Sequence, residues 1–201
     1  MGRLVKALGA IAAVTVMVLV PGLANASVLI NVTQSGGNVD VTATGSLDLT
    51  GATFNHAQPY STGIIPGGSN WYVALGVTPG MDWYNLTSVM LPYGTSGNYF
   101  TSSSTSGDAI SIWGFNGGQP QVGVTTGYTS GTPISADMTI TGETIAGMTL
   151  IPGTYTFTIP SDTIILNIAG TTTVPEPSTL TMMLSSFGAF GLAGYRRLRK
   201  A

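Results

Sequence analysis

Every lysine and arginine in this chain lies at one of its two ends. Arg3 and Lys6 stand at the start, and Arg196, Arg197, Arg199 and Lys200 at the finish; no residue from 7 to 195 carries a cationic side chain of either type. A domain made from that interior cannot build a Lys or Arg salt bridge. The chain also has no cysteine, so an exported product has no disulfide to stabilise it. Apolar packing and main-chain hydrogen bonds must hold the fold. Residues 27 to 173 contain seven acids: Asp40, Asp48, Asp82, Asp108, Asp137, Glu143 and Asp162. The formal charge of that stretch is −7, which the whole-chain value of −2 conceals. Nucleic-acid binding draws on cations set against phosphate, so no nucleic-acid partner is expected.

The two ends read as targeting segments. Residues 1–26 have the parts of a secretory signal peptide: a basic start, an apolar run from Ala7 to Val20, a helix-breaking Pro21-Gly22, and the small residues Ala24 and Ala26. Signal peptidase is expected to cut after Ala26, leaving Ser27 first. The C-terminal segment, residues 174–201, has three parts. Val174-Pro175-Glu176-Pro177-Ser178-Thr179 is kept extended, because Val174 and Glu176 each precede a proline. Residues 180–195 are sixteen uncharged, mostly apolar positions. As a transmembrane helix they would span about 24 Å at 1.5 Å per residue, short of a hydrocarbon core of about 30 Å. The cluster Arg196, Arg197, Arg199 and Lys200 then acts as a stop on the cytoplasmic side. Such a span serves as a transient membrane anchor better than as a permanent one.

This tail resembles the PEP-CTERM sorting domain. The likeness rests on Val174, Pro175, Glu176, Pro177, Ser178 and Thr179, followed by the apolar run and the basic end. It implies processing by exosortase, a membrane-embedded cysteine transpeptidase of Gram-negative bacteria that make extracellular polysaccharide. It also implies a membrane-anchored precursor and then delivery to the cell surface or the exopolysaccharide (biofilm) matrix. The alternative is a plain C-terminal anchor behind a proline linker.

Between the ends, residues 27–173 suit one domain with its own core. Apolar residues recur with period two, and turn residues separate the runs. Leu29–Gln34 and Asn38–Thr44 flank Ser35-Gly36-Gly37. Ala109–Phe115 and Gln121–Val124 flank Asn116-Gly117-Gly118. Both are hairpin signals. Trp71–Leu75, Ala136–Thr141, Ile145–Leu150, Thr154–Ile159 and Thr163–Ala169 also read as strands, and Ser46–Thr50 as a continuation of the first meander. Thr53–Asn70 reads as loop, with His56 solvated in it. Asp82–Met90 fits strand or short helix, and Tyr93–Gly107 a long loop or short edge strand. The expected fold is all-β: a single sandwich or jelly-roll-like domain between the signal peptide and the sorting helix. Gly127–Gly170 also resembles the β module that often precedes such tails, through Gly127-Tyr128, Ser130-Gly131-Thr132, Pro152-Gly153-Thr154-Tyr155-Thr156 and Asn167-Ile168.

Chemistry is sparse. His56 is the one histidine, and there is no G-x-S-x-G elbow, zinc-binding H-E-x-x-H or calcium-loop pattern. No catalytic residue, cofactor or metal ligand is assigned. A carboxylate pair acting on glycosides needs no histidine, but sequence does not say which acids meet. The aromatic residues between 71 and 113 point instead to binding. Trp71, Trp83 and Trp113 are the candidates for stacking on sugar rings, with core packing as the plainer use of each. The expectation is a non-enzymatic exported protein with a structural or adhesive role. A carbohydrate-binding module is the second reading and a glycoside-acting enzyme the third.

Overall fold

The computed structural model describes residues 27–170, apart from Thr78 and Met90, as thirteen strands. Among the described residues there is no helix. Residues 1–26 and 171–201 lie outside them, so the expected signal peptide and sorting helix fall outside the described residues.

Six strands make one sheet: β1 (Ser27–Ser35), β2 (Asn38–Ser46), β8 (Ser104–Gly107), β11 (Pro133–Thr141), β12 (Gly153–Ile159) and β13 (Asp162–Ile168). Their order is β12-β13-β1-β2-β11-β8. Seven make the other: β3 (Phe54–Gln58), β4 (Gly63–Ile65), β5 (Asn70–Leu75), β6 (Met81–Asn85), β7 (Phe100–Thr101), β9 (Ile110–Phe115) and β10 (Gln121–Thr125). Their order is β3-β6-β10-β9-β5-β4-β7.

Period-two alternation places the core. Val28, Ile30 and Val32 on β1, Val39, Val41 and Ala43 on β2, and Ile164, Leu166 and Ile168 on β13 are buried, while Thr44, Thr42 and Asn31 alternate with them. Val73 and Leu75, Ile110 and Ile112, and Val122 and Val124 are buried in the same core from β5, β9 and β10, where several residues between them, such as Ala74, Ser111 and Gly123, are covered on the other face as well. All of these side chains belong to one contiguous cluster, so the two sheets share a core. At about 25 cal/mol per Å² of apolar surface removed from water, burial of this kind is the main favourable term in a domain without lysine or arginine.

The Ser35–Asn38 hairpin forms as the sequence predicts, and Gly36 takes the positive φ (60°) that its tight turn requires. Leu47, just past the end of β2, is buried in irregular chain instead of extending the strand.

Two expectations are corrected. Thr53–Asn70 is not all loop: β3 and β4 form within it, as main-chain ladders with β6 and β5. β3 is an edge strand and mostly exposed, so it carries no apolar alternation to be read. Ile145–Leu150 is not a strand but a compact turn. Met148 N–H bonds Thr144 O at 2.9 Å and Leu150 N–H bonds Ile145 O at 3.0 Å. Ile145 and Met148 are buried from this turn at a spacing of three.

The first strand pairs with the last, in parallel, Ser27 opposite Thr163 and Val32 opposite Ile168. The described chain therefore starts at one end of this sheet and leaves it at the other, with Ala169 N–H bonded to Val32 O at 2.9 Å.

Candidate functional site

The face of the seven-stranded sheet turned away from the shared core carries a row of rings. Val73 and Ile112 point into the core, so their neighbours Tyr72 and Trp113, paired across β5 and β9, point outward. Trp83 on β6 faces the same way and pairs with Gly123 on β10 and His56 on β3. Gly123 leaves the sheet bare beneath the Trp83 ring. The indole lies between neighbours: His56 stacks on it at 6.1 Å and 16°, and Trp113 meets it edge-on at 5.8 Å and 70°. Phe115 extends the row at 5.1 Å from Trp113, and Tyr99 at 6.5 Å from Tyr72. Met81, Trp83 and Ala109 form a second small buried cluster under Tyr60, Tyr72 and Trp113.

The chain between β3 and β4 folds over part of this row, and three phenols fasten it. Tyr72 donates to Ser61 O at 2.5 Å, Tyr99 to Thr62 O at 2.7 Å and Tyr60 to Gly76 O at 2.7 Å. Beside this strap is a hollow of about 220 Å³, lined by Tyr60, Tyr72, Trp83, Tyr99 and Trp113 together with Gln58 and Asn70. Trp83 Nε1 is buried without a hydrogen-bond partner, and so is Oε1 of Gln121, which pairs with Trp113. A buried polar atom without a partner is uncommon and costly. Burial pushes the Tyr72 phenol well above its usual range and raises Tyr99, so both are neutral hydroxyls at physiological pH. The hollow thus offers ring faces and uncharged hydrogen-bonding groups.

The three candidate tryptophans are placed differently. Trp71 is 5 % exposed in the shared core and Trp83 1 % exposed under the outer row. Trp83 lines the ring-walled hollow and Trp71 a separate one beside Pro92 and Phe115, but neither presents an exposed ring face. Trp113 is half-buried and walls the hollow. In each Trp-Tyr pair one residue turns outward, as strand geometry requires: Tyr72 from the first, Trp83 from the second, with Tyr84 packed on the shared core. Tyr99 and Tyr60 complete the hollow from loops, and sequence gave no strand period by which to place them. His56 is on β3, not in a solvated loop; its Nδ1 lies 2.8 Å from Asn55 Oδ1.

Most of the acids are tied into the scaffold. Asp162 accepts from the Asp48 N–H at 2.7 Å, Asp82 from Gly127 N–H at 2.9 Å and Asp108 from Ser135 N–H at 3.0 Å. Asp40 accepts from Thr139 Oγ1 at 2.8 Å. Among the described residues no three His, Asp or Glu side chains converge as a metal site would need.

Of the processing residues, Ser27 opens β1. Ala24 and Ala26, Val174, Pro175, Glu176, Pro177, Ser178 and Thr179, and Arg196, Arg197, Arg199 and Lys200 lie outside the described residues. The family model of the PEP-CTERM protein-sorting motif matches residues 173–200. No curated protein and no solved structure matches the chain.

Proposed function

We propose that this chain, which carries a PEP-CTERM protein-sorting motif at its C-terminal end, delivers a non-enzymatic β-sandwich to the cell surface or exopolysaccharide matrix. The motif implies an exported protein sorted by exosortase. The finer reading is that signal peptidase frees Ser27, the tail holds the precursor in the membrane, and exosortase removes the tail near Val174–Thr179. The mature domain, residues 27–173, then serves as a structural or adhesive component.

The observation that carries the adhesive role is the ring-walled hollow on a domain without Lys or Arg. Ring faces pack against the C–H faces of sugars, and neutral hydroxyl and amide groups bond their hydroxyls. A −7 domain repels anionic chains at low salt, so the matching ligand is a neutral polysaccharide. The acids held by main-chain donors support a scaffold role for carboxylates over a hydrolytic one.

Affinity electrophoresis of the exported, processed protein tests this. Migration should be slowed in gels containing neutral glucans or galactomannans and not in gels containing alginate. Loss of that difference, or equal retardation of Tyr99→Ala together with Trp113→Ala, overturns the adhesive reading. The sorting reading has its own test, the mass of the exported product.

A further inference from the structure

The ring-walled hollow has a neighbour. A second hollow, of about 410 Å³, is lined by Thr62, Gly76, Val77 and Thr101, and it shares Tyr60, Ser61 and Tyr99 with the first. The strap at Ser61 and the ring of Tyr99 thus divide two openings that adjoin on one surface. β5 gives their direction. Asn70 and Tyr72, in the first half of that strand, line the first hollow; Gly76 and Val77, just past its end at Leu75, line the second. At about 3.3 Å per residue, Tyr72 and Gly76 are about 13 Å apart along the strand. No charged side chain is among the described residues that line either hollow.

Tyr99 is fixed at the divide. Its hydroxyl donates to Thr62 O at 2.7 Å. Its ring lies against Gly63, where an added Cβ would meet Cε2 at 2.9 Å and Cζ at 3.0 Å. Gly63 is itself paired with Ala74 on β5 and Thr101 on β7. Thr62 O also accepts the Ser102 N–H at 3.2 Å, and the hydroxyls of Thr62 and Ser102 share a hydrogen bond at 2.5 Å. The ring is therefore seated on an anchored backbone, and yet Tyr99 is 41 % exposed. A ring placed in advance loses little freedom when a ligand arrives. Size points the same way. The first hollow alone, about 220 Å³, falls below the roughly 300–1,000 Å³ usual for a ligand site, and the two together fall within that range.

We infer that the two hollows form one binding path, and that an internal stretch of a neutral polysaccharide lies along it, parallel to β5, with the Tyr99 ring under its middle. The inference rests on the neutral-glycan reading of the first hollow. It adds a second subsite and a requirement for chain length. Sugar rings on one side of Tyr99 meet Tyr72 and Trp113; those on the other side meet Val77 and Thr101. Ser61 and Tyr99 at the divide are both exposed, so a chain can cross it. Recognition then needs no chain end, and each stretch of a regular polymer is an equivalent ligand.

Titration calorimetry of the exported, processed protein tests this, with neutral gluco- and manno-oligosaccharides from disaccharide to hexasaccharide. For the sugar that binds, Kd should fall at least about tenfold from disaccharide to hexasaccharide and then level off. Extra binding registers on a longer chain improve Kd only in proportion to their number, which is less than this. Reducing the terminal ring to an open alditol should leave the hexasaccharide Kd within about twofold. Thr101 lies outside the first hollow, and Thr101→Trp fills the second. It should bring the hexasaccharide Kd back to that of the disaccharide and leave the disaccharide Kd unchanged. Val77→Trp, from another wall, must do the same should Thr101→Trp not fold, as judged by thermal melting. A disaccharide bound as tightly as the hexasaccharide overturns the inference and keeps the first hollow as the site. A large loss on reducing the chain end, or a folded tryptophan variant that weakens both ligands equally or neither, also overturns it. Binding of no oligosaccharide at any length rejects the neutral-glycan reading together with it.

Discussion

The indole of Trp83 lies over Gly123, so that a methyl group added to the glycine would meet three ring carbons at 3.1 Å. Gly123 has no positive φ, so its role is steric. Gly123→Val should destabilise the fold by about 1–3 kcal/mol through overpacking, and Gly123→Ala by less. Thermal melting with tryptophan fluorescence reads both, and an unchanged melting temperature in the valine variant would show that the ring is free to move.

Neutral-glycan affinity should depend on Tyr99 and Trp113. Each ring lost from a stack costs about 1 kcal/mol, a several-fold rise in Kd; Tyr99→Ala, which also loses the bond to Thr62 O, should lower the melting temperature as well. Titration with a neutral oligosaccharide, followed by tryptophan fluorescence, measures the rise.

The tyrosines make the fold sensitive to alkali. Burial raises the phenols of Tyr93 and Tyr72, and less strongly those of Tyr84, Tyr99, Tyr128 and Tyr155. A folded pKa above the unfolded one contributes stability that is complete below about pH 10 and is lost as pH rises through the folded values. Tyrosinate absorbance should therefore lag past pH 10 and then rise together with unfolding. The Tyr93 hydroxyl is buried without a partner, so Tyr93→Phe should move this transition to higher pH and raise stability by about 1 kcal/mol.

Tyr128 closes a different joint. Its hydroxyl accepts the Leu47 N–H at 2.9 Å and donates to Thr132 O at 2.6 Å. Tyr128→Phe leaves the buried Leu47 amide without that acceptor and should cost about 1–3 kcal/mol. Ser130 Oγ accepts the Leu49 N–H nearby at 2.9 Å, so Ser130→Ala should cost less, the site being exposed. Chemical denaturation compares the two.

Intact mass of the exported protein should correspond to a chain that begins at Ser27 and ends in or near Val174–Thr179. Cells without exosortase should keep the tail in the membrane fraction. A mature product that retains Arg196–Lys200 in normal cells would mark the tail as a plain anchor.

Strands whose side chains alternate between core and solvent were legible in the sequence: β1, β2, β11, β12 and β13 all show the period. Those held mainly by their neighbours' main chain were not. Three of the five positions of β3 are exposed and the other two half-buried, so burial left no imprint on its composition. The turn at Ile145–Leu150 misled because its apolar residues look strand-like until Met148 N–H is seen bonded to Thr144 O. The hollow was half visible. Trp113 could be named from composition, but Tyr60 and Tyr99 reach it from segments without period, and the burial of Trp83 depends on Gly123 of the neighbouring strand β10, which is distant in sequence.

The parallel contact of β1 with β13 has a consequence in time. Asn31 and Asn167, whose side chains bond across it at 3.3 Å, are 136 residues apart. A chain threaded outward from its N-terminus presents β1 first and the strand that flanks it last. Until residues 162–168 emerge, β1 has one open side and β12 has no neighbour. Contacts this distant form slowly, so the clasp shuts only when nearly the whole domain is across the membrane. The sorting segment follows within a few residues. Completion of the fold and arrival of the sorting segment are thereby set close together along the chain.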